Sequence, residues 1–300
     1  MKMNRRRFLA VIATATLAGS SRNSTITRQR FYALGTEAQI TLTGKQKQAK
    51  AALLACRKEI TAIESAFSLY DSNSMLSRLN RDGYVATDAR FSTLLHNALQ
   101  MADLTGGAFD PTIQPLWQAY ANGGSIERAR NLVDWRDLVS NEETAHFVRP
   151  GMAASFNGIA QGFAADRVSG ILVDHGFHNT LVDLGEFSAR GTKQSRPWLL
   201  GIREPLSQHI VAHAELNNGA IATSEPEGTL IAARSHIFDP LEQVGKRWAS
   251  VTVEAREAWR ADALSTAIAA SPVHQAEHLI NAGNGTRAWL VDTSGMLLEL

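Results

Sequence analysis

From Thr180 to Ala255 the chain runs through short apolar strands with no helical stretch between them: Thr180 to Leu184, Trp198 to Ile202, His209 to Glu215, Ala220 to Thr223, Ser235 to Phe238 and Ala249 to Ala255. A doubly wound sheet alternates strand and helix, so this run argues against one and points to an α+β fold. The expected architecture has mixed, largely antiparallel sheets with flanking helices. A further strand spans Phe31 to Thr43, broken at Leu34-Gly35-Thr36, with Ala38, Ile40 and Leu42 on one face. Helical periodicity runs from Ala49 to Phe67 through Ala52, Leu53, Cys56, Ile60 and Ile63. After the turn formers Tyr70-Asp71-Ser72-Asn73, Ser74 can cap a short helix through Leu79. Phe91 to Leu104 reads as a helix stopped by Gly106-Gly107, and Gln161 to His175 as one closed by Gly176. Two more, about Arg260 to Ala270 and Val273 to Ala282, precede a terminal hairpin of Arg287 to Asp292 and Met296 to Leu300. The segment from Asn122 to Pro150 has no clear period. One domain is expected over residues 31–300, behind a polar linker at 21–30.

The 300 residues are 44% hydrophobic and 20% charged, an ordinary globular balance. A net charge of +1 gives no electrostatic case for nucleic acid. The N-terminus stands apart. Lys2, Arg5, Arg6 and Arg7 precede an uncharged run from Phe8 to Ala18, too short to span a bilayer and suited to a signal peptide over residues 1–20. Asn4-Arg5-Arg6-Arg7-Phe8-Leu9 fits the twin-arginine pattern, an address for export of folded protein. Removing that segment takes four basic residues and no acid, leaving −3. With Ser20 where a lipid anchor would need cysteine, the expected mature protein is periplasmic, without a transmembrane span. Cys56 is the only cysteine, so no intrachain disulfide can form.

If the helix near Arg260 forms, Asp262 and Thr266 lie on one face, one turn apart. Together they offer hard oxygen ligands, better suited to Mg²⁺ or Ca²⁺ than to zinc. Two plainer roles stand beside this one: a helix cap for Asp262 and a bond to its own backbone for Thr266. Ser235-His236-Ile237-Phe238-Asp239-Pro240 puts an imidazole and a carboxylate on a strand that Pro240 ends. Gly158-Ile159-Ala160-Gln161-Gly162 lacks both the P-loop lysine and the dinucleotide spacing. It is either an anion cradle at a helix start or a tight turn. The nine histidines show no zinc-protease spacing, and no Gly-x-Ser-x-Gly elbow is present.

Read in order, seven motifs carry a resemblance. They are Leu34-Gly35-Thr36; Phe67-Ser68-Leu69-Tyr70-Asp71-Ser72-Asn73-Ser74; Gly106-Gly107-Ala108-Phe109-Asp110-Pro111-Thr112; Asn157-Gly158-Ile159-Ala160-Gln161-Gly162-Phe163; Ala222-Thr223-Ser224; His236-Ile237-Phe238-Asp239-Pro240; and Ala261-Asp262-Ala263-Leu264-Ser265-Thr266. From Leu34 to about Ser271 the chain resembles the ApbE family of flavin transferases, which move FMN from FAD onto a protein hydroxyl. The resemblance implies an ApbE-like fold with a flavin and magnesium cleft between two lobes. It implies Mg²⁺ on Asp262, Thr266 and a backbone oxygen at Gly158, where residue identity need not be preserved. It implies flavin contacts at Leu34, Tyr70, Ala108, Phe109, Asp110, Ser155, Gln161 and Phe238, the aromatic ones suited to stacking.

This chain departs from the family's pattern at three places. Ser155 stands where many members carry aspartate, Gln161 where they carry lysine or glutamate, and Gly185-Glu186-Phe187 where they carry Gly-Gly-Asp. With Glu186 and Ser224-Glu225-Pro226, the pattern is similar to the NosX branch associated with nitrous oxide respiration. The resemblance implies FAD as FMN donor, Mg²⁺ as cofactor, release of AMP, and transfer to a threonine or serine of an exported or membrane flavoprotein. For the NosX branch, that acceptor is the membrane flavoprotein of a nitrous oxide reductase system. His236 is the first candidate base, because imidazole titrates near working pH. Asp239 is the second, with a plainer role in shaping the chain before Pro240. Two rival readings use the same residues: an exported FAD pyrophosphatase, and a flavin-binding assembly protein that transfers nothing.

Overall fold

The computed structural model describes residues 9–11 and 25–300. Its centre is one eight-stranded sheet. We number its strands β1 (Thr25–Ala33), β2 (Thr36–Gly44), β3 (Thr180–Asp183), β4 (Phe187–Arg190), β5 (Gly219–Ser224), β6 (Trp248–Ala255), β7 (Arg287–Asp292) and β8 (Leu297–Glu299). In space they lie in the order β8-β7-β6-β5-β4-β3-β2-β1, each antiparallel to the next. The sheet is thus a sequential meander, and every element after its first strand that is not part of it is inserted between neighbouring strands. Residues 25–30, expected as linker, belong to β1. The hairpin between β1 and β2 turns on two residues, Leu34 (φ 50) and Gly35 (φ 75), with Ala33 opposite Thr36. Positive φ at both positions matches the twist of the flanking strands.

The largest insertion, between β2 and β3, holds six helices: α1 (Gln46–Phe67), α2 (Met75–Asp82), α3 (Ala89–Leu104), α4 (Gln114–Asn122), α5 (Ile126–Arg130) and α6 (Ala160–Asp174). Between β6 and β7 come α7 (Ala258–Ala270) and α8 (Ala276–Ala282), the latter entered through a 3₁₀ turn at Val273–Gln275. The helix starts follow their caps, with Ser74 accepting from the Ser77 amide and Asp88 from the Phe91 amide. The patternless stretch before Pro150 contains α5 and two short strands, Leu138–Ser140 and Thr144–Phe147, which join Tyr84–Ala86 in a small sheet.

Strand alternation divides the core between the two faces of the sheet. Val182, Ala220, Ala288 and Leu290 point to the helices, while Leu181, Ile221 and Trp289 meet the hairpin Trp198–Arg203/Ile210–Leu216 on the other face. Leu9–Val11 lies antiparallel along that hairpin; the rest of the expected signal segment lies outside the described residues. On the helix side, Phe67 stacks on Phe91 at 5.2 Å and meets Phe156 edge-on at 5.6 Å. This aromatic knot ties α1 and α3 to the loop that runs into α6.

Candidate functional site

Helices α6 and α7 cross at their first turns, and a glycine permits the crossing. A Cβ on Gly162 would lie 2.2 Å from the Ala258 carbonyl oxygen and 2.8 Å from the Trp259 Cα. Each helix also caps the other. Asp262 of α7 accepts from the Gly162 amide (2.9 Å), and Asp166 of α6 accepts from the Trp259 amide (3.0 Å). Carboxylates at helix N-termini satisfy donors the helix leaves open. Burial pushes Asp166 up to about 6. Sequence reasoning missed Asp166; its only signal was an acid at the fourth helical position behind the glycine. The plainer cap reading of Asp262 therefore holds in part, although the helix it caps is not its own.

The crossing sets out the oxygen groups expected for a metal. Thr266 follows Asp262 by one turn, and its Oγ1 is 3.3 Å from Ser224 Oγ, which in turn is 2.8 Å from Ser265 Oγ. A Cβ on Gly158 would lie 2.7 Å from Thr266 Oγ1. Residue 158 is therefore not indifferent to identity, contrary to expectation, because any side chain there displaces Thr266. Asp262, Thr266 and Gly158 all line one cavity between the α6–α7 crossing, the end of β5, the loop at 108–113 with the start of α4, and the segment 225–240.

Ala108, Phe109, Asp110, Ser155, Gln161, His236 and Phe238 line the same cavity, so the structure brings together ten of the thirteen expected positions. Asp110 is held by three donors: the Thr112 amide and hydroxyl, both at 2.7 Å, and the Trp135 amide at 3.1 Å. Burial nevertheless raises it to about 6. Gln161 Nε2 donates to the Leu34 carbonyl (3.3 Å) and lies against Gly185, where φ is +104 and a Cβ would fall 2.6 Å from that nitrogen. Phe238 stacks on Tyr120 at 4.6 Å, so one ring face is already occupied. His236 Nδ1 lies 3.2 Å from the Pro226 carbonyl oxygen and 3.0 Å from that of Thr229. Carbonyls only accept, so Nδ1 carries the proton and Nε2 is the basic nitrogen.

Three expected positions fall outside the lining. Leu34 acts through its backbone, holding Gln161 by its carbonyl and donating its amide to Glu64 (2.6 Å). Tyr70 is 82% exposed, on a turn set by Ser68 Oγ accepting the Tyr70 and Asp71 amides. Asp239 takes up its plainer role. Its carboxylate accepts from the Leu241 amide (2.8 Å), the Gln243 amide (2.7 Å) and Arg247 (2.8 Å), which fold the loop beyond Pro240. The expected strand from Ser235 to Phe238 is likewise replaced: only Arg234–Ser235 pairs, with Leu230–Ile231, and His236 lies in the following bend. Two acids of the lining, Glu186 and Glu225, were not among the expected site residues. Glu186 accepts from the Thr223 amide (3.0 Å).

Residues 34–290 match the model of the ApbE family. The chain is 27% identical over 256 residues to the FAD:protein FMN transferase of Treponema pallidum, covering 69% of this chain and 70% of that one. It is 28% identical over 239 residues to the enzyme of the same name from Haemophilus influenzae, covering 69% and 68%. The crystal structure of the ApbE protein of Thermotoga maritima superposes with a TM-score of 0.81 at 26% identity, over 91% of this chain and 96% of that one.

Proposed function

The chain belongs to the ApbE family, and from that premise we propose that it moves FMN from FAD to a hydroxyl of another protein, releasing AMP, with Mg²⁺ required. The composition of the cavity lining carries the metal requirement. Asp110, Glu186, Glu225 and Asp262 line it, and among the described residues no lysine or arginine does. A diphosphate entering such a site meets carboxyl groups with no fixed cation to offset them. Asp262, Thr266 and a backbone oxygen at Gly158 form an oxygen-only set with one carboxylate, which fits magnesium shared with substrate phosphates. Bound there, the ion would supply charge neutralisation at the transferring phosphorus and the departing AMP oxygen.

The chain's own residues orient the reactants and take the proton. Gln161, fixed between Leu34 and Gly185, and Asp110, fixed by its three donors, shape the end of the cavity assigned to the flavin. His236 Nε2 accepts the proton of the incoming hydroxyl, because the two carbonyls hold the ring in that tautomer. The new bond joins the acceptor oxygen to the FMN phosphorus, and the bond to AMP breaks with its electrons on the AMP oxygen. The acceptor is an exported or membrane flavoprotein. Glu186 and Ser224-Glu225-Pro226 make the membrane flavoprotein of nitrous oxide reduction the first to test. The export reading rests on Arg5, Arg6 and the uncharged run after them. Among the described residues no helix is long and apolar enough to cross a membrane.

The test is a mass spectrum of the acceptor after incubation with the purified chain, FAD and Mg²⁺. A gain of one FMN on a threonine or serine is expected. EDTA should abolish it, and Asp262→Ala should reduce it by more than the roughly 10–100-fold that changes around a metal ligand cost. AMP and FMN released with the acceptor unmodified would make the activity FAD hydrolysis. Full transfer in EDTA would remove magnesium from the reaction.

A further inference from the structure

Glu225 follows directly on Ser224, the last residue of β5, yet the two side chains have opposite fates. The Ser224 hydroxyl is shared with Ser265 and Thr266, within the oxygen cluster of the metal pair. Glu225 lines the cavity, is 8% exposed, and has a buried Oε1 with no hydrogen-bond partner. The turn it opens is closed by the Gly228 amide donating to the Glu225 carbonyl (3.1 Å), and a Cβ on Gly228 would lie 3.5 Å from Glu225 Oε2. The same turn supplies the two carbonyls that hold His236. A buried acceptor without a partner is costly, and native structures rarely keep one without a use.

We propose that Glu225 is a further binding residue of this site, a neutral carboxylic acid that donates a hydrogen bond to a phosphate oxygen of the bound dinucleotide. The proposal rests on the reading of the cavity as the FAD site. Ionised, Glu225 would join Glu186 in repelling the diphosphate, and among the described residues the only basic side chain of the lining is His236. Protonated, it turns from an obstacle into a hydrogen-bond donor for a phosphate oxygen. The surroundings favour the proton: burial raises Glu225 to about 8, and the nearby Glu204 pushes the same way. Glu204 keeps its own charge, because the Ser207 hydroxyl and then the Leu206 and Ser207 amides bond to it and hold its carboxyl below the usual range.

Equilibrium titrations at pH 7 with Mg²⁺ and no acceptor test this, using FAD, ADP and riboflavin as probes. Glu225→Ala should weaken FAD and ADP together by about tenfold, the worth of one hydrogen bond to a charged group, and leave riboflavin unchanged. Glu225→Gln, which keeps a neutral donor, should recover most of that loss. Equal FAD affinity in wild type and Glu225→Ala would overturn the proposal, and so would a Gln variant as weak as Ala, which would mean that Glu225 acts as an anion. A parallel loss of riboflavin would overturn the phosphate assignment. A wild-type chain that binds no FAD at all would instead defeat the reading of the cavity.

Discussion

Single residues of the site were legible to different depths. Asp262 and Thr266 could be paired from helical spacing, and the structure puts them in the cavity on α7. Glu225 entered the sequence reading only as part of the branch pattern, because what marks it as a binding residue is the burial of an unpartnered carboxyl oxygen, which only tertiary packing creates. That burial has a thermodynamic consequence. A carboxyl whose folded pKa lies above its unfolded value binds its proton more tightly in the native state. Its stabilising contribution is complete below about 4.5 and is lost as pH rises towards about 8. Asp110, raised from near 3.8 to about 6, loses its share over a lower window. Thermal unfolding of the ligand-free chain should therefore show Glu225→Gln matching wild type at pH 4 and exceeding it at pH 8, by roughly 3 °C or more. A difference that does not change between the two pH values would mean that Glu225 is ionised in the folded chain.

At the scale of elements, periodicity placed the helices well. Ala49 to Phe67 was expected and Gln46–Phe67 is found, with Ala52, Cys56, Ile60 and Ile63 buried as the spacing required. The failure at Ser235 to Phe238 has a local cause. Ser235 Oγ accepts from the Ile237 amide, so a side chain takes a backbone donor the ladder would have used, and Asp239 folds the chain beyond Pro240 by accepting from Leu241 and Gln243. The α6–α7 crossing was invisible for another reason: it joins residues a hundred positions apart through a glycine that sequence shows only as small. Two alanines separate its parts. Gly162→Ala drives a Cβ into backbone at 2.2 Å, so the helices must move apart, carrying Asp262 off the Gly162 amide. Gly158→Ala meets a side chain, Thr266, which can rotate away. The first should lower the melting temperature by roughly 5 °C or more, as expected for overpacking of about 1–3 kcal/mol. The second should melt within about 2 °C of wild type, since only a side chain must give way, yet bind Mg²⁺ more weakly by calorimetry. Equal melting temperatures would show that the crossing tolerates a methyl group.

Across the whole molecule, the sequential meander makes the site a product of insertions: α6 comes from the one after β2, α7 from the one after β6, and His236 from the loop after β5. No window of sequence contains that cavity, which is why spacing alone stopped at Asp262 and Thr266 and the ordered motifs had to supply the rest. A site assembled this way exists only once the sheet is complete. Export of such a chain would be best served by a route that carries it folded, and the basic start with Arg5-Arg6 fits the pattern of such an address. The single cysteine fits the same order of events. Cys56 is buried, its thiol pushed up to about 12, so folding calls for no oxidation and leaves no reactive thiol. Replacing Arg5 and Arg6 together with lysine keeps every charge while removing the paired guanidinium groups. In fractionated cells the wild-type chain should appear outside the cytoplasmic membrane in a shortened form. The double-lysine chain should remain inside, unshortened and soluble, and should still bind FAD after purification. Export of both chains to the same extent would remove the twin-arginine reading and leave transport of an unfolded chain, with the meander and its cavity assembled only after the crossing.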